Sequence, residues 1–472
     1  MKKSVFLLAC LMLLSVFVGC KKDDANNGPN EGGTPPPVQS SILDELPTMD
    51  MGGREFTLLT LNDYNDRGYF VSEAYTGEVL WDQAFERTAY VENKYNIDLK
   101  ILEEAQCDQL LKQDYLGGTK LYDLMYPHPT AHIVGEMIEG YFTDLNSLSE
   151  LTLSGAWYNQ SQVQNYTSAN GKLYVAVSDF SLAGQGMGTT VYNKALYTSG
   201  GHEANLYDMV RNGTWTQEAM MNIVKQYDSV GSDSEAPTYG LIFHRATLDS
   251  WPRAWGARIL EKNADGGFAL YSNNTRMSDF ATTMFGIYYN TPGILTGSSN
   301  DADFPTSEMY LTFQEGRGLF ITMDVRMTDL MSQLSFDFGV VPPPLYEVDE
   351  TPEYQTFCGA GFFAIPARAK SVSESAVIFE ALSRYSYEVV RPQYFEAVLL
   401  GRCSNESDDY QMLELIHASK FYDFGFTLDD SNNARSLLVN MIHTSESTNV
   451  TGYMRKYKSD FDAILELANS MP

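Results

Sequence analysis

Between Glu55 and Ile138 the apolar pattern alternates between strand and helix periods, and that alternation restricts the fold more than any other feature of the chain. Glu55-Phe-Thr-Leu-Leu-Thr60 reads as a buried strand. From Glu78 to Tyr95, the residues Leu80, Trp81, Ala84, Phe85, Thr88, Val91 and Tyr95 recur at helical intervals, which makes Trp81 a core residue of that helix. Ile97 to Leu102 is a second strand, and Ala105 to Leu116 a helix stopped by Gly117-Gly118. Tyr122 to Tyr126 is a third strand closed by Pro127-His-Pro129, and Ala131 to Ile138 a further helix. Strands that alternate with helices in this way form a parallel sheet with crossover helices. Ligands of such sheets sit beyond the carboxyl ends of the strands, here Asn62 to Asn65 and Tyr126 to Pro129.

A second α/β unit follows. Gly171 to Asn193 contains two β-prone runs, Leu173 to Val177 and Thr189 to Tyr192, around Gly184, Gly186 and Gly188. It reads as a hairpin or as a crossover between two lobes. Beyond it come the helix Gln217 to Tyr227, the strand Tyr239 to Phe243 and a helix from Ser307 to Gln314. The strands Leu319 to Met323, Phe336 to Val341 and Phe357 to Pro366 come next; in the last, Gly359 and Gly361 permit close backbone approach. From Ser371 onward the pattern is mostly helical. Trp251 and Trp255 stand beside Arg245, Asp249 and Arg253, a grouping suited to sugars: pyranose faces stack on indoles while charged planar groups take the hydroxyls. Packing of either indole into the core is the competing reading.

The chain begins with Lys2-Lys3, an apolar core from Val5 to Val18, and Gly19-Cys20, the pattern of a secretory signal. That core is too short to span a bilayer. Phe17-Val18-Gly19-Cys20 resembles a bacterial lipobox, which implies cleavage before Cys20 and a lipid on its thiol. Residues 21–41 hold too few apolar side chains to order themselves, and Pro35-Pro36-Pro37 favours an extended tether. Against 32 Lys and Arg stand 61 Asp and Glu, a net charge of −29. Such a surface repels nucleic acid and anionic headgroups. After loss of Cys10 and use of Cys20, the remaining Cys107, Cys358 and Cys403 are odd in number and lack a CxxC, which suits buried small hydrophobes. His128 and His132 are separated by Pro129 and have no third ligand nearby, so no metal is expected, and no cofactor either. No GxSxG, HExxH or Walker A sequence is present; Gly184-Gln-Gly-Met-Gly188 lacks the helix a phosphate cradle needs, and Asp429 to Asn433 lacks the glycine and distal glutamate of a calcium loop.

The order of these pieces resembles the extracellular solute-binding proteins, family 1, of bacterial ABC importers, a group that includes sugar binders. The lipobox, FTLLTLND, WDQAFERTAYVENKYNIDLKIL, YDLMYPHP, GKLYVAVSD with TTVYNKALY, GTWTQEAM, YGLIFH, EGRGLFITMDVR, FDFGVVPPP and GAGFFAIPA carry the resemblance. It implies a two-lobed α/β, periplasmic-binding-protein-like fold of type II, with a signal peptide at 1–19 and a lipidated, tethered segment at 20–50. Lobe 1 would comprise 51–178 and 325–384, and lobe 2 would comprise 179–324 and 385–472, with inter-lobe connections at Gly171 to Asn193, near Leu319 to Arg326 and near Arg384. It implies binding of a carbohydrate-class solute without catalysis, delivery to ABC permease subunits by hinge closure, and attachment to the outer face of the cell membrane through Cys20. The ligand-binding positions it implies are Asn62, Tyr64, Tyr126, His128, Asp179, Phe180, Arg245, Trp251, Trp255, Asp324 and Arg326. A lipid-anchored carbohydrate-active enzyme would need two carboxylates in split environments. A helical-repeat glycan-binding lipoprotein would lack the early strand–helix alternation.

Overall fold

The structure is a computed structural model that describes residues 41–61, 74–127, 133–184, 187–227, 237–297, 307–324, 334–359, 361–399 and 406–471, without the side chains of 182–184, 397–399 and 406. Cys20, Asn62, Tyr64, His128 and Arg326 lie outside the described residues, as do the signal segment and most of the tether.

The first sheet forms as the period switching predicts. Strand β1 (Arg54–Thr60) pairs in parallel with β2 (Ile97–Glu103) and with β3 (Leu124–Tyr126), giving the order β2-β1-β3. Helix α1 (Val79–Tyr95) crosses from β1 to β2 and buries Ala84, Thr88, Val91 and Tyr95 at i, i+4, i+7 and i+11. It ends at Asn96, which takes the left-handed conformation (φ 52°) that asparagine tolerates better than most residues. Helix α2 (Cys107–Gly117) ends at Gly118, also left-handed. Phe56, Leu58, Leu99 and Leu124 are buried together with the apolar face of α7 (Val372–Tyr385), where Ala376, Ile378, Phe379 and Leu382 are fully enclosed.

The second sheet is mixed. It contains β4 (Gly188–Asn193), β5 (Tyr239–His244), β6 (Ile294–Gly297), β7 (Gly318–Asp324) and β8 (Phe338–Val341) in the order β8-β4-β7-β5-β6. Strands β7, β5 and β6 run parallel, whereas β4 is antiparallel to both β7 and β8. Leu241, Ile242, Phe243, Phe320, Ile321 and Val340 are fully buried, as continuous apolar runs in a covered sheet must be.

The pairing corrects two expected boundaries. Residues 338–341, expected in lobe 1, pair with the second sheet: β8 aligns Val340 with Val191. The described return to the first sheet is where Phe363 bridges Ala176 and Ala364 bridges Met125. The tether is also shorter than residue 50. Ile42–Glu45 forms a turn held to Arg384, whose guanidinium donates to the Ile42 carbonyl and to Glu45, both at 3.0 Å.

After the return, α7 (Val372–Tyr385) covers the first sheet and continues through a wider turn, Ser386–Val390, into α8 (Arg391–Leu399). Helix α9 (Glu406–Ala418) then packs against β8, and β9 (Thr356–Phe357) pairs in parallel with β10 (Lys420–Phe421). Cys107 and Cys358 are buried and are not joined by a disulfide. Among the described residues, no helix is long and apolar enough to cross a membrane.

Candidate functional site

Two chain segments run antiparallel between the sheets. At one end Ala176 bridges Phe363, next to the Met125–Ala364 bridge on β3. At the other end Met187 bridges Cys358, and the Met187 amide donates to the Asp324 carboxylate at 3.2 Å. The crossing therefore starts beside the carboxyl end of β3 and finishes beside the carboxyl end of β7. Thr60 and Tyr126 end their strands on the first sheet; His244, Gly297 and Asp324 end theirs on the second. Carboxyl ends of parallel strands are where α/β sheets bind ligands, so the two sheets offer a shared site at the crossing.

Tyr126, Phe180 and Phe363 form the aromatic part of this crossing. The ring of Phe180 stacks on Phe363 (4.9 Å, 17°), and Tyr126 packs against Phe363 at 4.7 Å. A methyl group on Gly361 would come within 2.6 Å of the Tyr126 ring, so this close approach requires glycine; Gly359 has no atom within 4 Å of the same position. From α1, the buried Arg87 guanidinium lies 4.6 Å from the Phe180 centroid and donates to Ser386 Oγ at 3.0 Å.

Asp179 is the charged centre. Its carboxylate meets His417 Nε2 at 3.1 Å and Arg391 Nη1 at 3.4 Å, while Lys420 Nζ lies 2.9 Å from the same His417 nitrogen. Burial alone would raise the Asp179 carboxyl, but His417, Lys420 and Arg391 together hold it below the usual range. Burial, aided by Lys420, pushes the His417 imidazole down to about 4 against the pull of Asp179, so it is neutral at pH 7. Burial likewise lowers Lys420. A neutral imidazole nitrogen either donates or accepts. Nε2 therefore either donates a hydrogen bond to Asp179 or accepts one from Lys420, not both at once.

The two tryptophans expected to stack on a ligand are placed in the core. Helix α5 (Thr247–Ala254) and the residue after it put Trp251 and Trp255 on one face, and that face points inward. Trp251 meets Phe243 edge-on and Trp255 at 6.1 Å. Trp255 packs against Phe280 and Tyr346, and its indole N–H donates to the Pro344 carbonyl at 2.8 Å. Their charged neighbours are turned inward too. Arg253 forms a buried ion pair with Asp423 at 2.6 Å, and Asp249 accepts the Leu438 and Val439 amides. Arg245 stays half-buried where β5 ends, its amide donating to the Gly297 carbonyl. Trp81, expected in the core, is 40% exposed near the start of α1.

Of the expected ligand positions, Tyr126, Asp179, Phe180 and Asp324 thus converge on the crossing and Arg245 lies at the end of a strand that reaches it. Sequence reading missed Arg87, Arg391, His417 and Lys420. Each sits in an ordinary helical or strand context; the long-range pairing of β10 with β9 and the return of α8 bring Arg391, His417 and Lys420 to Asp179, while Arg87 reaches the neighbouring Phe180 from α1.

No protein-family model and no curated protein sequence matches the chain. Solved structures do. UgpB from Mycobacterium tuberculosis, in complex with glycerophosphocholine, superposes with a TM-score of 0.56 at 14% identity, covering 88% of this chain and 98% of that one. The GacH receptor of Streptomyces glaucescens, solved unliganded and with acarbose, gives 0.55 at 14% identity, covering 89% and 100%. The ABC substrate-binding protein Lmo0181 from Listeria monocytogenes, in complex with cycloalternan, gives 0.53 at 13% identity, covering 88% and 98%. The chain has the two-lobed α/β fold of the ABC substrate-binding proteins.

Proposed function

We propose that this protein is an extracytoplasmic solute receptor, anchored through a lipid on Cys20, which binds a carbohydrate between its lobes and hands it to the permease of an ABC importer without chemical change. The observation that carries this reading is the crossing itself. Two sheets direct the carboxyl ends of their parallel strands at one pair of antiparallel connecting segments, with aromatic and charged side chains gathered there. Hinged lobes of this kind close when a ligand contacts both.

Arg245 and Asp324 are the described side chains assigned to the ligand region, with the buried Tyr126 and Phe180 packed beneath it; Asn62, Tyr64, His128 and Arg326, which follow strand ends in the sequence, are assigned to it as well. The bound molecules named for similar structures, acarbose and cycloalternan, support a carbohydrate. Glycerophosphocholine in UgpB shows that the same architecture also holds other polar solutes. The test is a thermal-shift screen with maltotetraose, raffinose, acarbose and glycerophosphocholine. At a hundredfold excess over Kd a ligand adds about 2.7 kcal/mol of stability by mass action. A rise in Tm with a saccharide supports the reading; a rise with glycerophosphocholine alone, or with none of them, overturns the carbohydrate assignment.

A further inference from the structure

The charged cluster at Asp179 is buried, occupies the crossing, and is not explained by solute capture alone. Asp179 is 3% exposed, Lys420 3% and His417 8%. Its members come from separate parts of the chain, on or beside the connections between the lobes. Asp179 follows Ser178 on the first, and it is fixed to lobe 1 by its amide bond to the Trp157 carbonyl and by the Ser383 hydroxyl on Ser178. Lys420 belongs to β10, whose partner β9 leads into the return segment at Cys358. Arg391 opens α8 directly after the turn that leaves α7, and its guanidinium also lies 3.9 Å from the Tyr387 ring. His417 ends α9, which packs on β8 of the second sheet. The Asp179 carboxylate on the first connection thus meets Arg391, just after α7, and His417 of α9 directly, and Lys420, on the strand paired with β9, joins them through His417.

We propose that Asp179 is a positioning residue, the fulcrum on which the two lobes turn. This rests on the hinged-receptor reading above. Contacts near a rotation axis change least as the lobes move, so a buried ionic junction survives only near that axis. Elsewhere, each opening would separate desolvated charges. With Asp179 and Lys420 both within reach of His417 Nε2, that nitrogen keeps a partner through small rotations. Without the carboxylate, Arg391 and Lys420 face one another as like charges, and the first connection loses its tie to α8 and α9. The lobes then sample a wider range of angles.

The test needs no ligand. Spin labels at L116C on lobe 1 and L311C on lobe 2, both at exposed positions, report the inter-lobe distance in a full-length background with Cys20 and Cys403 replaced by serine. A second pair, L116C with V79C, lies within lobe 1 and reports its integrity. D179N is expected to broaden the inter-lobe distribution about twofold, as a released hinge should, and to leave the intra-lobe distribution unchanged. R391M removes one arm of the junction from a partly exposed site and is expected to broaden it less. If D179N does not fold, R391M decides. A wild-type inter-lobe distribution in the folded variants overturns the fulcrum, while the thermal-shift outcome, read on wild type, stands or falls separately.

Discussion

At the residue scale, the chemistry that sequence made visible and the chemistry that structure assembled are different sets. A pair of tryptophans four apart beside arginine and aspartate has the composition of a sugar platform. Spacing of four, however, places both indoles on one helix face, and an amphipathic helix turns its apolar face inward. Asp179 was legible as a residue of the crossing, but its partners were not, since His417 and Lys420 are more than 200 residues away in sequence. The cluster has a pH signature. The unfolded chain protonates His417 near 6.5, the folded protein only near 4, so between these values the unfolded state binds more protons and stability falls as pH falls. The window corresponds to about 3 kcal/mol. Asp179, held below the usual range, adds a loss of the same sign at still lower pH. Asp249, raised to about 6 by burial, opposes it, because its folded form gains a proton first. Urea unfolding at pH 7.5 and pH 5 should therefore show a larger acid loss in wild type than in H417Q, where Asp249 still acts. Equal losses in the two proteins would remove His417 as the cause.

At the element scale, the elements with a strong local period were legible and the connections were not. The first sheet forms in the predicted order, since each crossover helix buries a stripe set by its own sequence. The run from Phe336 is a strand as its composition suggests, but its partner is β4, nearly 150 residues earlier, and no local pattern encodes that choice. The return segment shows how fine the coding is. Gly359 and Gly361 look equivalent in sequence, yet only Gly361 faces the Tyr126 ring. Replacing Gly361 with alanine forces that ring or the segment to shift, at a cost of about 1–3 kcal/mol typical of overpacking. Gly359→Ala meets nothing within 4 Å and should change stability by no more than about 0.5 kcal/mol. Paired urea denaturation curves check this, and a fall in stability for both variants alike would mean that backbone freedom, not the aromatic contact, sets the requirement.

At the scale of the whole molecule, two lobes were legible from the order of many weak pieces, although sequence placed the return between them too early. The described body starts at Ser41 and is tied at once to α7 through Arg384. On the sequence reading, residues 21–41 then separate this body from a lipid on Cys20. A chain of that length reaches at most roughly 70 Å when extended, which on the proposed reading would let the lobes approach a permease from several orientations. The chain carries a strong negative charge, and like charge on a membrane surface would push it outward, so on the proposed reading any attachment would rest on the lipid rather than on the surface. A single acyl chain gives only marginal attachment, and stable anchoring takes more than one hydrophobic or basic signal. Bacterial processing at a lipobox cysteine would have to supply several chains. The expected result is that Cys20→Ser moves the protein from the membrane fraction to the soluble fraction while its Tm and ligand-induced shift stay those of the wild-type body. If the variant instead remains with the membranes after a high-salt wash, the anchor lies elsewhere in the chain and the proposed lipid attachment is wrong.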